Sequence, residues 1–483
     1  MKLLIICTWR PRYAGDKRDW QFPPLSAVFL AALCPSHIQV EVIHEQIRAV
    51  DVDTVDADIV AITSITSAAP HMYELADRLR ARGITVLLGG VHVSLLPEEA
   101  LPHADAIAIG EAELSFPQML RDFEKGRLQR VYRQPDGLPL AGLPVPRYDL
   151  FEKEFSFRHI VQATRGCPFR CSFCTLKAID KHFRVRPPEE VIRDIQASDG
   201  GSWLGKKLVL FWDDNLTADR RYARELFRKM IPLRKWWWSQ FSIDVAADRD
   251  LLDLAAKSGC KGAFVGMESF SASNLLAVGK RHNHVEQYRA AVRAFHHAGI
   301  AVHAGIIVGL DHDDAKSIQD IPAAVADLGI DLPFVNLLTP FPATPLYQDM
   351  AKEGRLWDCG WELHDGAHIT FDPLHMSAEE LESAYWATHH AFYSVPSTLR
   401  RVLRMPLHIG PTAAALNSYV ILRLMVENFL NPDHPWPEET VANTPKLHPA
   451  NAAASGKIPV ALPVPSPIHA APGYAPPART DPR

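Results

Sequence analysis

The sequence predicts an α/β protein with two parallel sheets, because short apolar runs alternate with helical patterns along most of its 483 residues. A first series, ending near residue 130, contains five such runs, and a second, beginning near residue 155, contains six. Parallel strands need long crossover connections, and the helical segments between the runs supply them. A doubly wound domain followed by a partial (β/α)6 barrel accounts for both series.

The first series predicts a flavodoxin-like (Rossmann-type) domain over residues 1–133. Its strand candidates are residues 3–6, 40–43, 59–62, 86–88 and 106–109. Residues 70–82 place Met72, Leu75, Ala76 and Leu79 at the spacing of one helix face. Domains of this class bind ligands at the carboxyl ends of their strands. We therefore look for a binding site in the loops that follow these strands.

The second series predicts a partial, TIM-like barrel over residues 153–375, joined to the first domain by a proline-rich linker at 134–152. Its strand candidates are residues 160–163, 208–211, 241–243, 263–265, 301–308 and 335–338. Helical patterns at 378–393, 396–404 and 413–431 predict a small helical region over 376–440. The last segment, 441–483, holds ten proline and ten alanine residues, and we predict that it is disordered.

Composition excludes several classes of protein. The chain carries 51 basic and 56 acidic side chains, a net charge of -5. It therefore lacks the excess of basic residues that would predict a nucleic-acid partner. The apolar run at the N-terminus is about five residues long, too short for a signal peptide, and no run approaches the ~18 residues of a membrane span. Seven cysteines, an odd and sparse number, argue against a disulfide framework. We expect a cytoplasmic protein without an integral membrane segment.

Three of those cysteines form a compact motif. Cys167, Cys171 and Cys174 have the spacing C-x3-C-x2-C, just after the first predicted barrel strand. Three soft thiolates on one loop suit zinc or an iron–sulfur cluster. A structural zinc site needs four protein ligands, and the nearest further candidates are His159 and His182. A [4Fe–4S] cluster normally takes four cysteines, so three would leave one iron open to a reacting ligand.

This spacing, with Phe173 just before the last cysteine, resembles the signature of the radical S-adenosylmethionine (SAM) superfamily. The resemblance implies that the three cysteines hold a [4Fe–4S] cluster whose fourth iron chelates SAM. One electron, from a donor such as flavodoxin or ferredoxin, would then cleave SAM to a 5′-deoxyadenosyl radical. In such enzymes the cofactor performs the radical chemistry, and the barrel orients it and excludes water.

The same resemblance implies SAM contacts at the ends of the later barrel strands. Asp213-Asp214-Asn215 follows the second strand, where many members of the superfamily have Gly-Gly-Glu. The two aspartates could either contact SAM or cap the N-terminus of the next helix. Lys280 and Arg281 could reach the SAM carboxylate or form solvated surface. The remaining SAM candidates are Ser242 and Asp244 after the third strand, Glu268 in a Gly-x-Glu-Ser element, and Gly305 and Gly309 in a Gly-x-Ile-x-Gly-like element.

Beside such a barrel, the first domain resembles the cobalamin-binding module of one radical SAM branch. Phe22-Pro23-Pro24-Leu25-Ser26 stands where that branch has a Pro-Pro-Leu-Gly element before its first helix. Glycine, serine and threonine at strand ends let backbone N–H groups approach the nucleotide tail of cobalamin. The candidate cobalamin contacts are Thr63, Ser64, Thr66, Gly89, Gly90, His92, Gly110 and Glu111.

Cobalt ligation stays open at this stage. The loop after the first strand, residues 8–20, contains no histidine, so it lacks the Asp-x-His-x-x-Gly motif of methionine-synthase-type domains. His92 is the alternative ligand, although a hydrogen-bonded structural role is the commoner one for a histidine. A domain of this fold that no longer binds cobalamin is a further alternative.

The resemblance implies a cobalamin-dependent radical SAM enzyme, in the first place a C-methyltransferase acting on an unactivated carbon. Enzymes of the same branch also include an oxidative cyclase of tetrapyrroles, and a non-catalytic cobalamin sensor is a third hypothesis. We expect a small-molecule substrate. The apolar helical region at 383–430 would suit a hydrophobic substrate, or simply cap the barrel. No residue is assigned a catalytic role from the sequence.

Overall fold

The structure is a computed structural model, and it describes residues 1–10, 22–155, 157–198 and 203–430. Its first sheet has six parallel strands in the order β2-β1-β3-β4-β5-β6. They span β1 Lys2–Cys7, β2 Gln39–His44, β3 Ile59–Ser64, β4 Thr85–Gly90, β5 Ala106–Ile109 and β6 Val131–Arg133. The order reverses between β1 and β3, which confirms the doubly wound fold.

Helices cover both faces of this sheet, as a buried parallel sheet requires. They are α1 Leu25–Ala32, α2 Ala69–Ala81, α3 Val91–Leu95, α4 Pro97–Ala100 and α5 Ser115–Glu124. Because side chains alternate along a strand, Leu4 and Ile6 join the core under α2, whereas Leu3 and Ile5 join the core under α1 and α5. The sheet therefore presents its carboxyl edge, rather than a face, to a ligand.

The second sheet runs in sequence order, β14-β13-β12-β11-β10-β7, and all its pairs are parallel. Its strands are β7 Ile160–Val161, β10 Leu208–Phe211, β11 Trp236–Phe241, β12 Cys260–Glu268, β13 Ala301–Val308 and β14 Leu332–Leu337. A separate antiparallel pair, β8 Thr164–Arg165 and β9 Arg184–Val185, brackets the cysteine motif. Six parallel strands in sequence order match the partial barrel that we expected.

Helices connect and follow these strands. Those from the cysteine motif to β13 are α6 Leu176–Ile179, α7 Pro188–Ala197, α8 Trp203–Lys207, α9 Arg220–Met230, α10 Arg249–Ser258, α11 Ala272–Ala277 and α12 Tyr288–His297. Those after β13 are α13 Ala315–Gln319, α14 Ile321–Leu328, α15 Pro345–Lys352, α16 Ala378–Tyr393, α17 Val395–Arg404 and α18 Pro411–Leu430. None of the helices in the described ranges is long and apolar enough to cross a membrane. The proline- and alanine-rich segment 441–483 lies outside the described residues.

Several strand predictions differ from the structure in their bounds: those at 160–163, 263–265 and 335–338 correspond to Ile160–Val161, Cys260–Glu268 and Leu332–Leu337. The third barrel strand runs over Trp236–Phe241 rather than 241–243, because the three consecutive tryptophans are themselves extended. Trp237 is fully buried in the barrel core, while its two neighbours point to the other side and stay partly exposed. The sequence prediction also missed β6, a three-residue strand at the sheet edge.

Candidate functional site

The cysteine motif lies on the loop that follows β8, at the carboxyl end of the barrel sheet. Its three thiols are free and partly buried. The backbone N–H of Ser172 donates to the Val278 carbonyl at 3.0 Å, and the Ser172 carbonyl accepts from the N–H of Leu346 at 3.1 Å. The loop is thus fixed between the segments that follow β12 and β14.

The thiols are close enough to affect one another's ionisation. Burial raises the pKa of Cys174 to about 11, and the neighbouring thiols add to the effect. Burial also raises the pKa of Cys171, and Lys280 opposes that shift. The Sγ atoms of these three described cysteines do not all lie within 4.8 Å of one another. The three thiols are therefore not gathered around the position of a single zinc ion.

The two histidines considered as a fourth zinc ligand are held elsewhere. His159 is buried, and its Nε2 donates to the Ile195 carbonyl at 2.9 Å. His182 holds its Nδ1 at 2.8 Å from the Asp180 carboxylate. The donor set is therefore three thiolates, which fits a [4Fe–4S] cluster with one iron open to a ligand.

Asp213, Asp214 and Asn215 hold the start of the cysteine loop. Asp213 Oδ1 accepts a hydrogen bond from the Thr164 hydroxyl at 2.7 Å, and it also accepts from the backbone N–H groups of Ala163 and Thr164. Asp214 Oδ2 accepts from the Gly166 N–H at 2.8 Å. Asn215 Nδ2 lies 3.8 Å from Cys167 Sγ. Three consecutive residues after β10 therefore set the path of the chain into the first cysteine.

The sequence left two roles for the aspartates, contact with SAM and capping of a helix. The N-cap of α9 is Asp219, whose Oδ1 accepts from the Tyr222 N–H at 2.9 Å, so neither Asp213 nor Asp214 caps that helix. Burial raises the pKa of Asp213 to about 7, with hydrogen bonds from Thr164 opposing it. Both carboxylates contact the cysteine loop directly.

Glu268, at the end of β12, forms an ion pair with Lys280, and both side chains are largely buried. Glu268 has a φ of 64°, a conformation uncommon for residues other than glycine. A Cβ added to Gly266 would lie 2.2 Å from Glu268 Oε1 and 2.6 Å from Lys280 Nζ. A side chain at position 266 would therefore displace the two charged groups from this arrangement. Lys280 is not a solvated surface charge, whereas Arg281 is exposed.

The other predicted SAM residues are spread along the same end of the sheet. Ser242 precedes the 3-10 turn after β11, and Asp244 in that turn pairs with Arg220 at 2.8 Å. A Cβ at Gly305 would lie 3.0 Å from the Phe264 ring, and one at Gly309 would lie 2.9 Å from Leu381. These glycines allow close packing inside the protein. Phe173 packs against the barrel core.

The carboxyl edge of the first sheet is closely packed around Gly90, which has a φ of 98°. A Cβ there would lie 2.6 Å from Thr63 Oγ1 and 2.8 Å from the Ser64 backbone nitrogen. Ser94 Oγ donates to the Gly90 carbonyl at 2.7 Å and accepts from the Gly110 N–H at 2.9 Å.

This edge also offers open space and an unused donor. A Cβ added at Gly110 would meet no atom within 4 Å. The hydroxyl of Thr66 is buried and has no hydrogen-bond partner among the described residues. Gly89 sits at the end of β4 beside Ala108. Small residues and an orphaned hydroxyl at a strand end fit a polar ligand tail.

His92 and Glu111 make contacts between the two halves of the chain. His92 is fully buried, with Nε2 3.1 Å from Glu99, and Glu99 also accepts from Trp361 Nε1 at 2.9 Å. Glu111 pairs with Arg165 at 3.3 Å and accepts from Arg184 at 2.8 Å. Glu111 thus pairs with two arginines of the second half, whereas the His92 imidazole bonds Glu99 of the first half and packs against the Trp361 ring.

Sequence analysis missed Arg165, Arg184 and Glu113. Arg165 pairs with Glu111 and Glu113, and Gln134 donates to Glu113 at 2.9 Å. Arg165 is two residues before Cys167, so this network joins the cysteine loop to the loop after β5. The position of an arginine directly before Gly166-Cys167 was the one available signal, and it says nothing about a partner some fifty residues earlier in the chain.

Comparisons with known proteins agree with this arrangement. Residues 14–120 match the B12 binding domain, residues 161–322 match the radical SAM superfamily, and residues 344–430 match a domain of unknown function, DUF4070. The chain is 31% identical over 394 residues to the bacteriochlorophyllide d C-12(1)-methyltransferase of Chlorobaculum tepidum, covering 80% of this chain and 86% of that protein. It belongs to the cobalamin-binding radical SAM family.

Other relatives carry different activities. The hopanoid C-2 methylase of Rhodopseudomonas palustris is 28% identical, over 73% of this chain and 71% of its own. The anaerobic magnesium-protoporphyrin IX monomethyl ester cyclase of Rubrivivax gelatinosus is 24% identical, over 81% of this chain and 77% of its own. The family therefore includes both methylating and cyclising members.

A solved structure shows the same fold. The radical SAM methyltransferase TsrM from Kitasatospora setae, with cobalamin and a [4Fe–4S] cluster bound, superimposes with a TM-score of 0.61 at 16% identity, covering 81% of each chain. As a member of the cobalamin-binding radical SAM family, this chain is an enzyme whose cofactors are a [4Fe–4S] cluster, SAM and cobalamin. The donor set of the cysteine loop and the small-residue edge of the first sheet fit these groups.

Proposed function

We propose that this radical SAM enzyme is a C-methyltransferase acting on an unactivated carbon of a hydrophobic small molecule. One observation carries the proposal: the cysteine loop and the small-residue edge of the first sheet are tied to each other through Arg165, Glu111 and Glu113. A radical initiator and a methyl carrier must act on the same substrate carbon, and this tie holds their two binding loops together. Relatives that are methyltransferases support the proposal.

The cluster and SAM have a set of residues suited to them. Cys167, Cys171 and Cys174 would hold the cluster, and the Glu268–Lys280 pair beside them would bind the ammonium and carboxylate groups of SAM through charge-assisted hydrogen bonds. When bound, the three cofactors supply a 5′-deoxyadenosyl radical and a transferable methyl group. The electron would come from an external donor such as flavodoxin or ferredoxin.

Cobalamin would be held by the edge of the first sheet. Thr63, Ser64, Gly90 and Gly110 offer small side chains that let a ligand approach the strand ends closely, and the Thr66 hydroxyl offers an unused hydrogen bond. Gly89 completes the close-packed strand end. His92 is fully buried between Glu99 and the Trp361 ring, so we assign it to the contact between the two halves and propose no histidine ligand to cobalt from it.

The test is transfer of labelled methyl groups by anaerobically reconstituted protein. The enzyme would be incubated with SAM bearing a deuterated methyl group, a reductant, cobalamin, and either a bacteriochlorophyll-type macrocycle or a hopanoid. We expect 5′-deoxyadenosine and a product that carries the label. A variant with Cys167→Ala, Cys171→Ala and Cys174→Ala should give neither product. The control Cys34→Ala, which removes a thiol that donates a hydrogen bond to the Leu30 carbonyl, should give both.

Each other outcome points to a named alternative. A modified, unlabelled product formed with 5′-deoxyadenosine would replace methylation by an oxidative cyclisation of the kind named for the Rubrivivax relative. Absence of 5′-deoxyadenosine from protein whose iron content confirms the cluster would favour the non-catalytic sensor. Formation of 5′-deoxyadenosine without bound cobalamin would contradict the role of the first domain.

A further inference from the structure

Helix α17 and the 3-10 turn that follows it, Met405–Leu407, expose a row of large apolar side chains. Val395, Leu399, Leu403 and Leu407 follow one another at four-residue intervals, and the last two expose 72% and 83% of their surface. The opposite side of the helix is buried, where Val402 packs into a cluster with Met405 and residues of α18. The row is therefore not the core-facing side of an amphipathic helix. It is a second, outward-facing apolar stripe.

Arginines accompany this stripe. Arg400 and Arg404 directly follow Leu399 and Leu403, and both are exposed. Helix α17 contains three arginines and neither aspartate nor glutamate, although the whole chain has a net charge of -5. The local charge therefore has the opposite sign to that of the molecule. We call Val395, Leu399, Arg400, Leu403, Arg404 and Leu407 the α17 surface.

The next helix exposes apolar residues as well. On α18, which packs against α17, Tyr419, Leu422 and Val426 are exposed at helical spacing. Scattered exposed apolar residues are ordinary, but a row on one helix and a second group on its neighbour are typical of an interaction site.

We propose that the α17 surface docks the enzyme onto an anionic lipid bilayer, with the helix lying in the plane of the interface. Leucines flanked by exposed arginines on a helix of this kind insert their apolar groups at the acyl boundary and keep the guanidinium groups among lipid phosphates. A second copy of the chain is a less favourable partner for this surface. In a two-fold dimer the arginines of one copy would face the arginines of the other and repel them. The proposal is independent of the reaction that the enzyme performs.

The experiment is co-sedimentation of the reconstituted full-length enzyme with vesicles. We expect binding to vesicles of phosphatidylcholine and phosphatidylglycerol in equal parts, and much weaker binding to phosphatidylcholine alone. Leu403→Glu combined with Leu407→Glu should lower the partition coefficient at least about tenfold. Arg400→Gln with Arg404→Gln should lower binding to the anionic vesicles by about fivefold for each charge removed. Leu374→Glu, at another exposed leucine outside α17, should change nothing.

Three results would overturn the proposal. The first is no binding to anionic vesicles at low ionic strength, where attraction to the lipid is greatest. The second is binding that the double leucine variant retains, which would place the contact elsewhere. The third is a dimer in sedimentation velocity that this variant abolishes, which would assign the surface to a second copy of the chain. All the substituted residues are exposed, and circular dichroism would confirm that each variant is folded.

Discussion

At the scale of single residues, the site is defined by which charges are buried beside the cysteine loop. Burial raises the pKa of Cys171, and Lys280, which pairs with Glu268, opposes that rise, while its neighbour Arg281 is exposed to solvent. Two adjacent cations therefore have different roles. The difference comes from the ion pair of Lys280 with Glu268, a residue of positive φ at the end of β12.

Lys280→Met should weaken SAM binding by roughly 10- to 100-fold, the value of one charge-assisted hydrogen bond. Isothermal titration of the reconstituted enzyme with SAM would measure it. Arg281→Met is the matched control, and its affinity should stay within about twofold of the wild type. An equal loss of SAM affinity in the two variants would mean that Lys280 acts only as one positive charge near the site and makes no specific contact with SAM.

Asp214→Ala should lower the iron content of the reconstituted protein, because Gly166 loses the hydrogen bond that fixes the chain before Cys167. We expect less than half of the wild-type iron, measured with the 400 nm region of the absorption spectrum. Asp219→Ala removes an N-cap in the same segment, worth about 1 kcal/mol of stability. If this control lost as much iron, the effect would be one of general stability.

At the scale of elements, a single aspartate joins three of them at the amino end of β14. Asp331 accepts from the Val302 N–H at 2.8 Å, from His296 of α12 at 2.9 Å and from His408 after α17 at 3.3 Å. Burial alone would raise its pKa, but the two histidines outweigh burial and hold the pKa at about 2. The C-terminal helices are therefore attached to the barrel through a buried carboxylate.

A carboxyl group whose pKa is depressed on folding stabilises the protein above its unfolded pKa, and that stability is lost as the pH falls through the folded value. The shift from 3.8 to about 2 corresponds to about 2 kcal/mol. Asp331→Asn should therefore lower the free energy of unfolding in urea by about this amount at pH 7. The difference from wild type should shrink between about pH 4 and pH 2.

The control for this measurement is Asp327→Asn. Asp327 is exposed and pairs with the exposed Arg289, so its loss should change the free energy of unfolding by no more than about 0.5 kcal/mol. A deficit in Asp331→Asn that stayed constant down to pH 2 would show that packing, rather than charge, is responsible.

At the scale of the whole molecule, the two halves of the chain meet through a largely buried ionic network. Arg165 reaches Glu111 and Glu113, and Arg184 reaches Glu111 from β9. Burial acts to raise the pKa of Glu113, and Arg165 outweighs that effect and lowers it. A second contact, through Trp361, Glu99 and His92, joins the halves on another side.

Glu113→Gln should uncouple radical formation from methyl transfer, because the loops that hold the two cofactor sites would no longer be fixed to each other. We expect the ratio of 5′-deoxyadenosine to methylated product to rise severalfold while iron content and SAM affinity stay near wild-type values. Chromatography of one reaction mixture gives both quantities.

The matched control removes a carboxylate charge away from this network. Glu189→Gln breaks an exposed pair with Lys229 and should leave the ratio unchanged. A Glu113→Gln enzyme in which both products fall in proportion would show a loss of folded protein rather than uncoupling.

The sequence by itself determined the two parallel sheets and the cysteine motif. Periodicity of apolar residues is local, so β5, β10 and β13 were predicted with the bounds that the structure shows. The spacing of Cys167, Cys171 and Cys174 is local as well, and its resemblance to the radical SAM signature predicted the iron–sulfur cluster. Errors fell where pattern is weakest, at the short edge strand β6 and at the start of β11, whose tryptophans alternate between core and partly exposed positions.

Only the tertiary structure decided what the polar side chains touch. Asp213, Asp214 and Asn215 have a composition that suits a helix cap or a cofactor contact, and their contacts with the cysteine loop depend on the pairing of β10 with β7. The partners of Arg165 and Trp361 come from distant parts of the chain, and one sequence carries no signal for such pairs. Hydrogen bonds and ion pairs act over a few ångströms in space, so the roles of these residues become visible once the chain is folded.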